Sequence, residues 1–392
     1  MNDPTSLYIH IPFCARKCPY CSFLSTDKLS GLIPAYLEAV RRELSGAPRS
    51  LPMRTIYIGG GTPTVLSAEQ LRALLQIVAG QVDIEPDCEF TIEANPGTLD
   101  AEKTAVLSEG GVNRVSLGAQ SFRPETLQKL GRIHGPDEIC RAVEILRKHG
   151  FQSIGIDLMF AVPDQTLEQW SADLDAAIKL GTQHISMYGL TIDMDTPFYE
   201  LLSEGQLEEA SEELYLTMYY RGRERLTAAG FEHYEISNFA LPGFRSAHNS
   251  NYWFNGRYLG IGAGSTGFAS GRRYDNTEDI EEYIELVQSR GNAVCSYEHK
   301  LEPLDFACET AAFNIRYLPG IDRQSFLERT GYDLKELYAD VIDDHVELGL
   351  LEYDGKVLRL TPEALGVADS ISEALVPDWE DEEEDDDDGT TS

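Results

Sequence analysis

Apolar residues along this chain come in short runs, and the stretches between the runs carry helical spacing. Through residue 240 the runs are 6–11, 55–58, 89–93, 114–118, 153–160 and 184–190. Helical spacing fills 34–44, 68–78, 137–149 and 166–180. Ser67 ahead of Ala68-Glu69, and Asp164 ahead of Thr166, are helix start signals, because a side-chain oxygen there can accept an unpaired first-turn amide. Strand–helix alternation of this kind predicts parallel βαβ units. Six such strands predict an α/β fold, a partial (β/α)6 TIM-like barrel over residues 1–240. A doubly wound sheet is the competing layout.

The pattern then changes. A long helix is expected over 207–228, another apolar run at 232–236, and a glycine- and aromatic-rich segment over 241–275 that closes the barrel mouth. From 276 to 370, helical stretches at 280–289, 304–316, 322–330 and 334–348 precede two runs at 350–353 and 356–360. Asp354-Gly355 between those runs is a hairpin turn signal. Helices ending in a hairpin predict a C-terminal α+β, winged-helix-like domain. Residues 371–392 form an acidic, low-complexity tail expected to be disordered.

Charge narrows the partners. The 392 residues carry a net charge of −34; ten of those charges lie between Asp378 and Asp388, which leaves −24 for the rest. So acidic a body repels phosphate backbones and anionic lipid, so neither nucleic acid nor a membrane surface is an expected partner. No apolar run approaches the roughly 18 residues of a spanning helix, and stable membrane insertion is not expected. The first residues show no charged-then-apolar signal pattern, and a cytoplasmic location is expected.

Three of the seven cysteines crowd into the segment Cys14-Ala15-Arg16-Lys17-Cys18-Pro19-Tyr20-Cys21, directly after the first strand. In a reducing compartment such a cluster reads as a metal site before disulfides. Cubane iron–sulfur clusters usually take four cysteines. Here Ser22 and Phe23 follow, and no fourth local ligand is present. Three thiolates would leave one iron of a [4Fe-4S] cluster open, and an open iron can chelate the amino and carboxylate groups of S-adenosylmethionine. A zinc site completed by His10 or a remote cysteine is the competing reading of the same thiols. Cys88, Cys140, Cys295 and Cys308 are scattered and read as core or incidental residues.

In barrels, chemistry sits at the C-terminal ends of the strands. The second run ends in Gly59-Gly60-Gly61-Thr62-Pro63, the third in Glu93-Ala94-Asn95-Pro96, and the fourth in Gln120-Ser121. Asp157 interrupts the fifth and Tyr188 the sixth. A polar group in a buried strand needs a partner. Several in successive strands, facing a cysteine loop, point to a shared pocket. Glu93, Gln120, Arg132 and Asp157 supply the charges and amide that an amino-acid head and a ribose require.

Together, the segment Tyr8-Ile9-His10-Ile11-Pro12-Phe13-Cys14 through Cys21, Gly59-Gly60-Gly61-Thr62-Pro63, Glu93-Ala94-Asn95-Pro96-Gly97, Gln120-Ser121-Phe122 and Leu130-Gly131-Arg132-Ile133-His134 resemble the radical S-adenosylmethionine family of oxygen-independent coproporphyrinogen III oxidases. The resemblance spans about residues 6–370. Two features lean to its heme-chaperone branch. Phe23 stands where the coproporphyrinogen-converting branch has a fourth cysteine, and that branch's longer N-terminal region is absent. His248-Asn249-Ser250-Asn251-Tyr252-Trp253 also resembles the heme-associated segment of the chaperones.

The resemblance implies a cluster on Cys14, Cys18 and Cys21, with Tyr8 and Tyr20 beside the cofactor. Gly60, Gly61 and Thr62 would meet its methionine part, and Glu93, Gln120, Arg132 and Asp157 would complete the pocket. It also implies heme held by His248, Tyr252 and Trp253, an apo-hemoprotein acceptor and an electron donor. Ala247 replaces the arginine common before the His-Asn pair, and Ser265-Thr266 stand where Ala-His is frequent. The alternative function is oxidative decarboxylation of coproporphyrinogen III. A third is radical chemistry on another tetrapyrrole. No catalytic residue is assigned.

Overall fold

The computed structural model describes residues 5–46, 52–297 and 300–376. The acidic tail expected from residue 371 lies mostly outside the described residues. Two compact units divide the chain at Leu301/Glu302.

The first unit is built on one nine-stranded sheet. Its strands are β1 (Ser6–Ile11), β2 (Pro52–Gly60), β3 (Asp83–Ala94), β4 (Arg114–Gln120), β5 (Ser153–Phe160), β6 (His184–Gly189), β7 (Glu232–Glu235), β8 (Asn238–Ala240) and β9 (Leu259–Ile261). Their spatial order is β7-β8-β6-β5-β4-β3-β2-β1-β9. From β1 to β6 the strands are parallel and lie in chain order. Consecutive order decides between the two layouts: a doubly wound sheet reverses direction part-way, whereas a barrel arc winds one way. The sheet is a six-stranded barrel arc extended at both edges.

One edge departs from expectation. The segment 241–275 was expected to close the mouth. Within it, β9 pairs in parallel with β1 and lengthens the sheet. Its backbone thereby satisfies an otherwise bare strand edge.

Helices cover the outer face. Ala68–Gln81 starts with a capping box in which Ser67 Oγ accepts from Gln70 N and Gln70 Oε1 accepts from Ser67 N. The helix Leu167–Leu180 is capped by Thr166 rather than by Asp164. The alternate residues Val115, Leu117 and Ala119 of β4, Ile154, Ile156 and Leu158 of β5, and Ile185 and Met187 of β6 are buried. The intervening residues Ser116, Gly118, Gln120, Asp157, Met159, Ser186 and Tyr188 line the barrel interior instead. This period-two division follows from the pleat.

The boundary expected at residue 276 falls later. Strands β10 (Thr266–Ala269), β11 (Arg272–Asn276) and β12 (Val294–Tyr297) form one antiparallel sheet, so residues 276–301 belong to the first unit. The helix Ile280–Arg290 buries Ile280, Tyr283, Ile284 and Val287. Tyr283 packs on Tyr36, with ring centroids 5.0 Å apart, and donates to the buried Glu43 carboxylate at 2.7 Å.

The second unit holds the helices Pro303–Asn314, Arg323–Thr330, Leu334–Leu337 and Ala339–Glu347 with a three-stranded antiparallel sheet. Its strands are β13 (Ile321–Asp322), β14 (Leu351–Tyr353) and β15 (Val357–Leu360), ordered β13-β15-β14. Asp354-Gly355 makes the hairpin turn, with Gly355 at φ +85°. The single helix expected over 334–348 is broken at Tyr338, whose hydroxyl donates to the Leu375 carbonyl at 2.8 Å.

Candidate cofactor site

Hydrogen bonds from its neighbours shape the cysteine loop after β1. Cys14 N donates to Thr26 O at 2.9 Å, Thr26 N to Pro12 O at 2.8 Å, and Cys21 N to Cys18 O at 3.2 Å. The glycine-rich turn after β2 lies against this loop: Gly61 N donates to Ile11 O at 2.9 Å and Thr62 N to Phe13 O at 2.8 Å. A Cβ on Gly61 would stand 2.8 Å from Phe13 O and 3.0 Å from Cys14 Sγ. The turn needs glycine there so that two backbones can touch. Tyr20 sits beside a small apolar cluster of Leu130, Met159, Val162, Leu190 and Phe198, and Phe198 N donates to Pro19 O at 3.0 Å. The loop is thus held from both sides.

The thiols of Cys14, Cys18 and Cys21 open onto a cavity of about 390 Å³ at the C-terminal end of the strands, also lined by Tyr20, Gly60, Gly61 and Thr62. Glu93, Gln120, Arg132 and Asp157 line it as well. Eleven of the twelve cofactor and metal residues singled out from the sequence therefore share one cavity. The exception is Tyr8, expected beside the cofactor. It lines a neighbouring cavity with Phe23, Tyr252 and Tyr258, because its hydroxyl is drawn to His10 Nδ1 at 2.9 Å.

The charged groups are deeply held. Tyr57 donates to Glu93 Oε1 at 2.7 Å and Gly60 N to Oε2 at 3.1 Å. Burial nevertheless pushes the Glu93 carboxyl up to about 7, and nearby Asp157 adds to the shift. Asp157 is raised by burial too, while hydroxyls of Ser186 and Ser116 pull it back. Burial also raises the Cys14 and Cys21 thiols. Arg132 donates through Nη2 to Gly118 O at 2.8 Å and through Nη1 to Cys18 Sγ at 3.5 Å; its Nε is buried without a partner. Gln120 has a left-handed backbone, φ +65°, where β4 and β5 slip register, and this re-aims its amide at the strand end.

The zinc reading meets two obstacles. His10 Nε2 donates to Leu24 O at 2.9 Å, so Nδ1 must accept from Tyr8, and no lone pair is left for a metal. Among the described residues, moreover, no three His, Cys, Asp or Glu side chains converge on one ion position. Three thiols spread around one cavity suit a cluster, in which each binds a different iron.

His248, expected with Tyr252 and Trp253 to hold heme, lies inside the fold. It is 1% exposed. Thr55 Oγ1 donates to Ser6 Oγ at 2.9 Å, so it accepts from His248 Nδ1 at 2.8 Å; His248 Nε2 then accepts from Tyr252 at 2.9 Å. Its ring also stacks on Tyr57, centroids 5.1 Å apart. Both nitrogens are hydrogen-bonded, and the residue lines neither of these two cavities. Glu89 builds the helix start, accepting from Ala247 N at 3.0 Å and His248 N at 2.9 Å. Tyr252 does reach the neighbouring cavity, whereas Trp253 lines neither.

Sequence reading missed Arg114, Ser116, His184, Ser186 and Asn249, all of which line the cavity. Part of the signal was available: Ser116, like Gly118 and Gln120, alternates with apolar residues along β4.

Comparison with known proteins fits this geometry. Residues 8–177 match the Radical SAM superfamily model, and residues 301–366 match the HemN C-terminal domain. A heme chaperone HemW of Lactococcus lactis subsp. lactis is 36% identical over 96% of this chain and 99% of its own length. The chain belongs to the HemW family. The Escherichia coli HemW is 42% identical, over 89% of this chain and 92% of its own length. The solved coproporphyrinogen III oxidase HemN of Escherichia coli superimposes with a TM-score of 0.83, covering 95% of this chain and 90% of that one; at 21% identity it shows a shared fold. Radical SAM membership sets the cofactors, a [4Fe-4S] cluster and S-adenosylmethionine. The spread of three thiols and the orphaned Arg132 Nε fit that pair.

Among the described residues, no helix is long and apolar enough to cross a membrane.

Proposed function

We propose that this protein binds heme and passes it to an apo-hemoprotein acceptor. The observation that carries this reading is the end-to-end match to relatives named heme chaperone HemW, 36% identical over 96% of the chain in one case and 42% over 89% in another.

Cys14, Cys18 and Cys21 would hold the cluster and leave one of its irons open to S-adenosylmethionine. Gly60, Gly61 and Thr62 meet the methionine part. Arg132 neutralises the carboxylate through its spare donor, which is the geometry a guanidinium favours. Glu93, Gln120 and Asp157 receive the ammonium and ribose hydroxyls, as acceptors buried deeply enough to favour a cationic ligand. When bound, the cluster supplies an electron to the sulfonium, the source of radical chemistry in this superfamily.

Heme contacts the aromatic side of the helix Ala247–Trp253. Tyr252, Tyr258, Tyr8 and Phe23 surround a cavity of about 350 Å³, and their rings offer flat faces to a porphyrin. Phe23 is 69% exposed and lines both cavities, which connects this face to the cluster loop. His248 is a positioning residue here: it orients the Tyr252 hydroxyl from behind. An electron donor serves the cluster, and the protein works in the cytoplasm without nucleic acid.

Anaerobic heme titration, followed at the Soret band, tests the reading. Saturable binding, and transfer of the bound heme to apo-myoglobin as a probe acceptor, are expected. Turnover of coproporphyrinogen III with S-adenosylmethionine and a reductant, without heme transfer, would replace it with the enzyme reading.

A further inference from the structure

The floor of the cavity, away from the thiols, holds a second set of groups that cluster and S-adenosylmethionine binding does not use. Three strands build it in register. Ser116 of β4 pairs with Gly155 of β5, which pairs with His184 of β6. One step below, Arg114 pairs with Ser153. Because Gly155 has no side chain, a gap opens between its neighbours: a Cβ there would lie 3.4 Å from His184 Nδ1 and 3.5 Å from Ser116 Oγ.

What faces the gap is unusual for a barrel interior. Arg114 is 3% exposed, yet among the described residues no carboxylate lies within ion-pair distance of it. Its Nη1 donates to Ser153 Oγ at 3.1 Å and Phe244 O at 3.3 Å, which leaves its other donors unassigned. Asp157 feels the Arg114 charge, but no carboxylate among the described residues touches the guanidinium, so its desolvation is only partly offset. His184, 1% exposed, repeats the pattern. Tyr234 Oη accepts from Ser246 N at 3.3 Å and is hydrogen-bonded to His184 Nε2 at 2.8 Å. Nδ1 is buried with no partner, and in the tautomer whose Nε2 accepts from Tyr234 it carries the ring proton. Asn249 lines the same wall, and its side-chain amide bonds none of the described residues.

We propose that this floor is a carboxylate-binding subsite: the Arg114 guanidinium pairs with one carboxylate of an organic acid, and His184 Nδ1–H and the Asn249 amide donate to its oxygens. The three donors come from different elements and line one cavity. Asp157, the nearest acid above them, has its oxygens bonded by the Ser116 hydroxyl at 3.2 and 3.3 Å and does not fill it. The inference goes beyond the heme reading and does not depend on it.

Nuclear magnetic resonance of the full chain, cluster-reconstituted and labelled in the histidine rings, tests it. The His184 Nδ1 signal is assigned by its loss in His184→Gln. Sodium propionate should shift that signal saturably, and propionamide, uncharged and of similar shape, should not. Arg114→Gln should weaken propionate about tenfold or more. Gly155→Val, which keeps every donor and fills the gap, should abolish the shift; unchanged iron content in that variant shows that its fold survives. Competition identifies the source of the acid. Displacement by iron mesoporphyrin but not by its dimethyl ester assigns the subsite to a porphyrin propionate arm, and displacement by neither assigns it to a small free acid. Absence of a saturable propionate shift, an equal response to propionamide, or undiminished binding in Gly155→Val overturns the proposal.

Discussion

Two stretches of this molecule carry residues that suggest metal chemistry on sight, the cysteine loop and the helix Ala247–Trp253, and the fold treats them in opposite ways. The thiols of Cys14, Cys18 and Cys21 line an open cavity, and the hydrogen bonds that fix their loop are mostly made by backbone groups. Their ligating atoms carry only weak contacts, among them Thr62 Oγ1 at 3.6 Å and Arg132 Nη1 at 3.5 Å. In the helix, His248 has spent both nitrogens on Thr55 and Tyr252. Residue type marks both stretches as metal candidates. Remaining bonding capacity separates them, and only packing reveals it.

That contrast can be broken most strongly at Cys18. Cys18→Ala should lose the cluster outright, with iron content falling to background and the visible absorbance disappearing; retained iron would move the ligand assignment elsewhere. Next comes the pocket above the thiols. Arg132→Gln removes one partner of a charge-assisted pair, and S-adenosylmethionine should bind about ten- to a hundredfold more weakly in calorimetry. An unchanged affinity would mean that Arg132 serves Gly118 and the loop alone.

Glu93 gives a third, pH-dependent test on the cluster-free chain. Its carboxyl is pushed up to about 7 in the folded protein, above its ordinary 4.5, chiefly by burial. Folding therefore favours its protonated form. The contribution is full below about pH 4.5, falls by about 3 kcal/mol as pH rises toward 7, and is flat above that. Glu93→Gln should remove that slope from urea unfolding measured across the window. A slope that persists in the variant assigns the dependence to another group.

The smallest expected effect sharpens the other side of the comparison. His248→Gln should leave the heme Soret position unchanged and alter affinity by less than about tenfold, because both ring nitrogens are hydrogen-bonded within the fold. Loss of an axial-ligand spectrum would mean that the helix opens and releases the imidazole on binding heme.

Much of the architecture was legible because period-two and helical spacing are local. The run 153–160 coincides with β5, and the other five core runs fall within or beside their strands. Strand β9 was not legible: Leu259–Ile261 is three residues long inside a glycine-rich stretch, and only the exposed edge of β1 makes it a strand. The unit boundary was misplaced for a similar reason, since β12 joins the first unit through long-range pairing with β11. At the site, the residues at strand ends were readable from their polarity next to apolar runs. Arg114 and His184 were not, because a charged or aromatic residue opening a strand looks like an ordinary boundary until the neighbouring strands are set in register.

Hyperfine spectroscopy of the reduced, reconstituted protein with isotope-labelled S-adenosylmethionine measures the open iron most directly. Coupling of the cluster to the amino nitrogen and carboxylate oxygen of the bound molecule, lost in Cys18→Ala, is the expected result. A cluster with no such coupling, or one whose fourth iron is bound by a protein side chain, would contradict three-thiolate ligation.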